Sequence, residues 1–265
     1  MDSIDKIKII TISFGFLFMF LQPVKAQKHD EPQIKIIESQ YAIINQIIVA
    51  ADTLLFAAVD GGILHLNHES WLIEPNKESY CTSIAFIPED SSCIALCNRK
   101  DSTEIIWIRM ENEKTINRVV YDRLPIGLYN IKYSDGLCYI WGRMNKSYVI
   151  GTITSKGIAW IYKSNNSISD VTCINNELYF ASDNKIINLT KNQVIIKLEN
   201  KISGFHASND GKLTISCFGQ IFFIDGSRVK HIAFPYSGKI YRTGNIIYVL
   251  DVQKKSLIKF KSSQT

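Results

Sequence analysis

The 265-residue sequence predicts an all-β protein built from six copies of one four-stranded unit. The first observation is an apolar phrase that recurs every 33 to 44 residues, anchored on Leu54, Ile94, Cys138, Leu178, Leu213 and Ile246. The second is a set of Asp-Gly turns between apolar runs, where glycine accepts a positive φ at no steric cost. The third is that no segment beyond residue 26 has the periodicity of an amphipathic helix. Repeats of this length are typical of four-stranded blades, so we predict a six-bladed β-propeller.

Each unit is expected to begin with a strand that lines the central channel, followed by the recurring phrase and a third strand. The six first strands are predicted at 43–49, 82–87, 129–133, 169–174, 202–207 and 239–243. The last unit ends near Lys259 after three strands, while the apolar segment 33–37 precedes the first unit. We therefore expect this N-terminal strand to complete the last blade and close a single ring. Seven blades are the alternative, because residues 99–128 are long enough to contain further strands.

The first copy of the phrase, residues 53–66, reads TLLFAAVDGGILHL: an apolar strand, small residues, Asp-Gly-Gly and a second apolar strand. It resembles the repeat of NHL-type and two-component-regulator propellers, and residues 177–189 and 212–224 are looser copies. The resemblance implies the propeller fold and a general capacity to bind ligands. The Gly-His and Trp-Asp pairs of WD40 repeats are missing from the sequence, as are the Ser-x-Asp-x-Gly-x-Thr-Trp boxes of sialidases.

The N-terminal residues have the pattern of a secretory signal peptide. Lys6 and Lys8 precede an apolar run at 9–21, and Ala26 ends a short segment that contains Pro23. This pattern predicts a signal peptide over residues 1–26 and a propeller domain over 27–265. An uncleaved anchor or a buried strand is the alternative, although a membrane span needs about 20 apolar residues. We expect a secreted or periplasmic protein with no transmembrane span after cleavage.

The net charge bears on the class of binding partner, and the cysteines bear on disulfide formation. The formal net charge is only +5 and the lysines are dispersed, so nucleic-acid binding is not predicted. Six cysteines in an exported chain permit disulfides, but no CxxC or CxC spacing indicates a pair. Cys93 and Cys97 share a strand face at a spacing too long for an easy bridge. We expect mostly buried free thiols, with disulfides or a metal site as alternatives.

One candidate site follows from the repeat itself. In a propeller the first strand of each blade lines the channel, and the residue before its buried apolar position lies near the channel mouth. These positions are Gln46, Ser83, Asn130, Asp170, Gly204 and Lys239. The five polar ones suit a polar ligand, or alternatively water that hydrates the axis. We expect Asp170 to be hydrated and replaceable at little cost in stability.

The sequence contains no recognisable catalytic set. It lacks Gly-x-Ser-x-Gly, and its carboxylates are scattered singly. The sequence does not identify a cofactor, and it indicates no metal site. The leading hypothesis is therefore a binding or scaffolding module for a protein or glycan partner. The alternative is a lyase, lactonase or glycosidase with a metal ion or paired carboxylates at the central channel, which requires two or more further oxygen ligands around Asp170.

Overall fold

The computed structural model describes residues 35–37, 44–50, 53–59, 62–65, 70–74, 80–111, 114–125, 127, 129–154, 156–208, 210–251, 253 and 256–261. The predicted signal peptide at 1–26 lies outside these residues. Within them, 24 strands form six antiparallel four-stranded sheets, and no helix occurs. This part of the chain consequently offers no helix with the length and hydropathy of a membrane span.

The first three sheets follow the chain order. Blade 1 comprises strands β2 (Ile44–Ala50), β3 (Thr53–Val59), β4 (Gly62–His65) and β5 (Ser70–Ile73). Blade 2 comprises β6 (Tyr80–Ile87), β7 (Ser92–Asn98), β8 (Ser102–Glu111) and β9 (Lys114–Pro125). Blade 3 comprises β10 (Tyr129–Ser134), β11 (Leu137–Met144), β12 (Ser147–Thr154) and β13 (Gly157–Ser164).

The other three sheets complete the ring. Blade 4 comprises β14 (Ile168–Ile174), β15 (Glu177–Ser182), β16 (Lys185–Asn188) and β17 (Gln193–Lys197). Blade 5 comprises β18 (Ile202–Ala207), β19 (Leu213–Cys217), β20 (Gln220–Asp225) and β21 (Arg228–Ala233). Blade 6 comprises β22 (Lys239–Thr243), β23 (Ile246–Asp251), β24 (Ser256–Lys261) and the N-terminal strand β1 (Lys35–Ile37).

The architecture is a six-bladed β-propeller, as predicted. Each first strand contacts the first strand of the next blade, and β22 contacts β2 to close the circle. Strand β1 pairs with β24 in the register Lys35 to Lys259, so the N-terminal strand completes the last blade as expected. The long stretch at 99–128 is occupied by the β8–β9 hairpin of blade 2, whose strands have 10 and 12 residues, rather than by a seventh blade.

The hydrophobic core is divided among the blade interfaces. In the described residues, buried apolar side chains form six clusters, one between each pair of neighbouring blades. Phe205, for example, is fully buried in the cluster between blades 4 and 5. Because every sheet has apolar residues on both faces, each blade is stabilised by its two neighbours.

The cysteines are mostly buried free thiols, as expected. Cys81 on β6 and Cys97 on β7 are cross-strand neighbours and form a disulfide. The remaining four, Cys93, Cys138, Cys173 and Cys217, are free and buried. Burial raises the pKa of Cys217 to about 12, which keeps its thiol protonated. A separation of 16 residues does not by itself predict a disulfide. The pair becomes evident only when the register of the β6–β7 hairpin places Cys81 opposite Cys97.

Candidate functional site

The first strands place the predicted channel residues beside the axis, and β-bulges help to aim them. In blades 1, 2, 4 and 5, the first strand contains a bulge that leaves one residue unpaired with the second strand. The residues that follow these bulges are Gln46, Ser83, Asp170 and Gly204. A bulge redirects the side chains after it. The next residue along each strand is apolar and buried between blades: Ile47, Ile84, Val171 and Phe205.

Gln46 and Ser83 form one hydrogen-bonded group that joins three blades. Gln46 Nε2 donates to the carbonyl oxygens of Ile84 at 2.9 Å and Ile131 at 3.0 Å. Ser83 Oγ donates to Gln46 Oε1 and accepts a hydrogen bond from the Ile131 amide at 2.9 Å. Both side chains are buried. They therefore satisfy backbone groups of blades 2 and 3, where an unpaired amide or carbonyl would be costly.

Lys239 and Asn130 form a second group across the axis. Lys239 Nζ donates to Asn130 Oδ1 at 2.6 Å and to the Asn45 carbonyl oxygen at 3.2 Å. Burial, opposed by the charge of Asp170 and aided by that of Lys132, lowers the pKa of Lys239 to about 8. The ammonium group consequently links blades 6, 1 and 3 through its own hydrogen bonds.

Asp170 is bonded to the protein on both carboxylate oxygens. Oδ1 accepts from the Val171 amide at 2.8 Å and lies 3.5 Å from Lys132 Nζ, while Oδ2 accepts from the Phe205 amide at 3.0 Å. The residue is only 6% exposed. The expectation of a hydrated carboxylate is therefore wrong, because the bulge turns Asp170 toward the first strand of blade 5. Its surroundings are N–H donors and a cation, the reverse of what a metal ligand requires.

The sixth position requires glycine, because the backbone of blade 6 lies close to Gly204. A Cβ atom at this residue would lie 2.9 Å from the Gly238 carbonyl oxygen and 3.0 Å from Lys239 Cα. Any larger residue would push the start of β22 away from β18. Glycine at this position thus lets the lysine reach the axis.

The axis itself is nearly filled. Gln46, Asp170 and Lys239 line a cavity of about 30 Å³, together with Trp141, whose indole Nε1 has no hydrogen-bond partner among the described residues. A cavity of this volume admits a water molecule, whereas small-molecule sites typically measure about 300–1,000 Å³. In the described part of the chain, no group of three or more His, Cys, Asp or Glu side chains could hold a metal ion. Ligand binding by the five predicted residues stays a prediction.

A larger concavity lies between blades 5 and 6, where their first strands end. We call it the blade 5–6 cleft. Its volume is about 560 Å³. It is formed by the ends of β18, β20 and β22, the starts of β19 and β21, and the turns between them. Its lining is His206, Ser208, Asp210, Lys212, Leu213, Phe223, Ile224, Asp225, Arg228, Lys230, Arg242, Gly244 and Asn245.

The cleft is cationic. Four of its lining side chains are basic and two are acidic, a formal net charge of +2 with His206 neutral. Burial, together with smaller effects of the positive charges of Lys132 and Arg242, lowers the pKa of His206 to about 3. The imidazole is therefore neutral at physiological pH and can donate or accept a hydrogen bond. Desolvation is the larger cause of the low pKa, and the two cations are the smaller one.

The cleft could not be identified from a motif, because its basic residues belong to three separate segments of the sequence. The repeat nevertheless contains one pattern that could have located the cleft. Equivalent turns of successive blades lie at the same end of a propeller, so the Asp210-Gly211 and Asp225-Gly226 turns and the Gly244-Asn245 turn of the next blade are expected together. Lys212, Arg228 and Arg242 lie within three residues of these turns.

Comparisons with known proteins are informative only at the level of fold. No protein-family model matches the chain, and no curated protein matches it in sequence. Among solved structures, the PQQ-bound aldose sugar dehydrogenase from Streptomyces coelicolor has a TM-score of 0.59 at 9% identity, over 87% of this chain and 98% of that one. A putative gluconolactonase has a TM-score of 0.62 at 6% identity, over 88% of this chain and 92% of that one.

A third similar structure is the extracellular domain of a putative one-component system from B. thetaiotaomicron. Its TM-score is 0.52 at 11% identity, and the alignment covers 84% of this chain but 33% of that one. At such low identity, these similarities concern the fold alone. The chain is a six-bladed propeller with a fold-level resemblance to NHL-type and two-component-regulator propellers.

Proposed function

We propose that the protein is an exported binding module that takes a glycan in the blade 5–6 cleft. The observation that supports this is the contrast between two concavities: about 30 Å³ at the axis and about 560 Å³ in the cleft. Of these two concavities of the described residues, the cleft has the volume of an ordinary ligand site. A protein partner, by comparison, usually covers about 800 Å² of surface on each side.

The lining of the cleft suits a sugar. Phe223 is half-buried and offers apolar surface for the C–H face of a pyranose ring, whereas Leu213 and Ile224 are buried. Asn245 can bond the hydroxyl groups of the sugar, and Ser208 Oγ can accept a hydrogen bond from one of them. The proposal includes export through the segment 1–26. A Cys81–Cys97 disulfide fits an oxidising compartment.

A binding panel with a matched pair of variants tests the proposal. Isothermal titration would use tetrasaccharides of glucose, xylose, N-acetylglucosamine and galacturonic acid. Lys230→Trp places a bulky side chain in the cleft on the exposed strand β21, and Lys163→Trp makes the same change at an exposed site on β13 of blade 3. We expect at least one sugar to bind saturably, with binding lost in Lys230→Trp and retained in Lys163→Trp. Absence of binding to the whole panel, or unchanged binding by Lys230→Trp, overturns the proposal.

A further inference from the structure

The cationic groups of the cleft are unequally engaged with the protein. Lys212 Nζ lies 2.8 Å from Asp210 Oδ2, and Asp210 Oδ1 accepts from Ser208 Oγ at 2.5 Å. The two charges therefore compensate each other at the turn between β18 and β19. Arg228 and Lys230 are exposed, and neither has a carboxylate partner within the described residues.

Arg242 is held in place by the protein while retaining free donors. Its Nε donates to the Gly244 carbonyl oxygen at 3.0 Å, and Nη1 donates to Thr214 Oγ1 at 3.1 Å. A guanidinium has five N–H donors, so three remain for a ligand. Two hydrogen bonds to neighbouring elements fix the plane of the guanidinium, which lowers the entropy that binding would cost. Arg242 is consequently a preorganised anion contact on the wall of the cleft.

One acidic residue of the lining favours hydroxyl groups beside it. Asp225 lies on the same lining as Arg228 and Lys230, and it can accept hydrogen bonds from hydroxyl groups. A carboxylate placed directly against Asp225 would be disfavoured, although the cleft as a whole is cationic. An acidic sugar, which has both hydroxyl groups and a carboxylate on one ring, would use both kinds of side chain.

We propose that the cleft recognises an acidic glycan, in which Arg242, assisted by Arg228 and Lys230, binds the carboxylate of a uronic acid residue. This inference rests on the proposed function, and it names the class of sugar. Planar guanidinium groups bind carboxylates through paired N–H donors, and such charge-assisted hydrogen bonds are about twice as strong as neutral ones. The formal net charge of +2 on the lining would also attract the carboxylate.

The test compares a galacturonic acid tetramer with its methyl ester, which has the same size and hydroxyl groups but no charge. We expect the acid to bind on the order of tenfold more tightly than the ester in 50 mM salt, with the difference shrinking in 500 mM salt. The double variant Arg228→Gln/Lys230→Gln should weaken binding of the acid about tenfold and leave the ester unchanged. The matched control is Lys163→Gln/Lys197→Gln, which removes two exposed lysines from the outer strands of blades 3 and 4.

The outcomes separate this inference from the proposed function. Equal binding of acid and ester, or binding of only neutral sugars from the panel, overturns the acidic specificity and leaves a glycan site. Equally tight binding of a glutamate tetrapeptide would also overturn it, since the carboxylate would then suffice without the sugar. If no sugar binds at all, the proposed function itself fails.

Discussion

Replacement of Asp170 by alanine should destabilise the propeller by several kcal/mol. The carboxylate accepts hydrogen bonds from the amides of Val171 and Phe205, and both residues are fully buried. Alanine would leave two buried N–H groups without an acceptor, at about 1–3 kcal/mol each. Loss of the 3.5 Å ion pair with Lys132 adds little, because that lysine is partly exposed. We expect a loss of about 4 kcal/mol, out of the roughly 5–15 kcal/mol typical of a folded domain.

Urea unfolding followed by tryptophan fluorescence measures this loss as a lower midpoint at unchanged m-value. Asp170→Asn keeps one acceptor oxygen, so about half of the effect should remain. Asp101→Ala removes an exposed carboxylate and serves as the control, with an expected change within about 0.5 kcal/mol. A change of less than about 1 kcal/mol in Asp170→Ala would refute the structural role and would favour the channel-mouth ligand site instead.

Three further predictions concern thiols, close packing and the half-buried His206. The native protein should react little with a thiol reagent, and denaturation without reductant should expose four thiols, since one disulfide remains; six thiols, or none, would contradict this. Gly204→Ala should lower the free energy of unfolding by about 2–3 kcal/mol, because the added Cβ would meet backbone atoms of blade 6. Gly136→Ala, at an open turn, is the control and should lower it by about 1 kcal/mol. Equal losses in the two variants would argue against the close approach of blade 6 to Gly204. NMR titration should place the pKa of His206 near 3. The unfolded chain binds a proton at this histidine below about pH 6.5, whereas the folded chain binds it only near pH 3. The free energy of unfolding should therefore fall as the pH decreases from about 6.5 to 3, and it should fall less steeply in His206→Gln. A pKa of about 6.5 in the folded protein would contradict the desolvated, cationic setting of His206.

The fold was predictable because a propeller repeats one hydrophobic pattern. The first strands lie within two residues of their predicted starts, as for β6, which begins at Tyr80 instead of residue 82. The pairing of β1 with β24 also followed from the pattern, since a three-stranded last unit leaves an edge that the segment 33–37 can fill. The length of the β8–β9 hairpin did not follow, because periodicity alone does not distinguish long strands from additional ones.

The site was predictable only in part, because it depends on register and on distant contacts. Three of the predicted positions, Gln46, Asp170 and Lys239, line one cavity, and their role in ligand binding stays a prediction. The repeat contained no information on the bulges that direct Gln46 and Asp170 to backbone groups of other blades. The cleft was missed for a related reason: Lys212, Arg228 and Arg242 are 14 to 30 residues apart and converge through the packing of blade 5 against blade 6.

A crystal structure of the protein with the galacturonic acid tetramer would test the account most directly. We predict that the sugar lies in the blade 5–6 cleft, with one carboxylate about 3 Å from the guanidinium of Arg242 and a pyranose face against Phe223. The side chains around the axis should keep their mutual hydrogen bonds. A sugar bound over Asp170 and Lys239 at the channel mouth, with the cleft left unoccupied, would contradict the account.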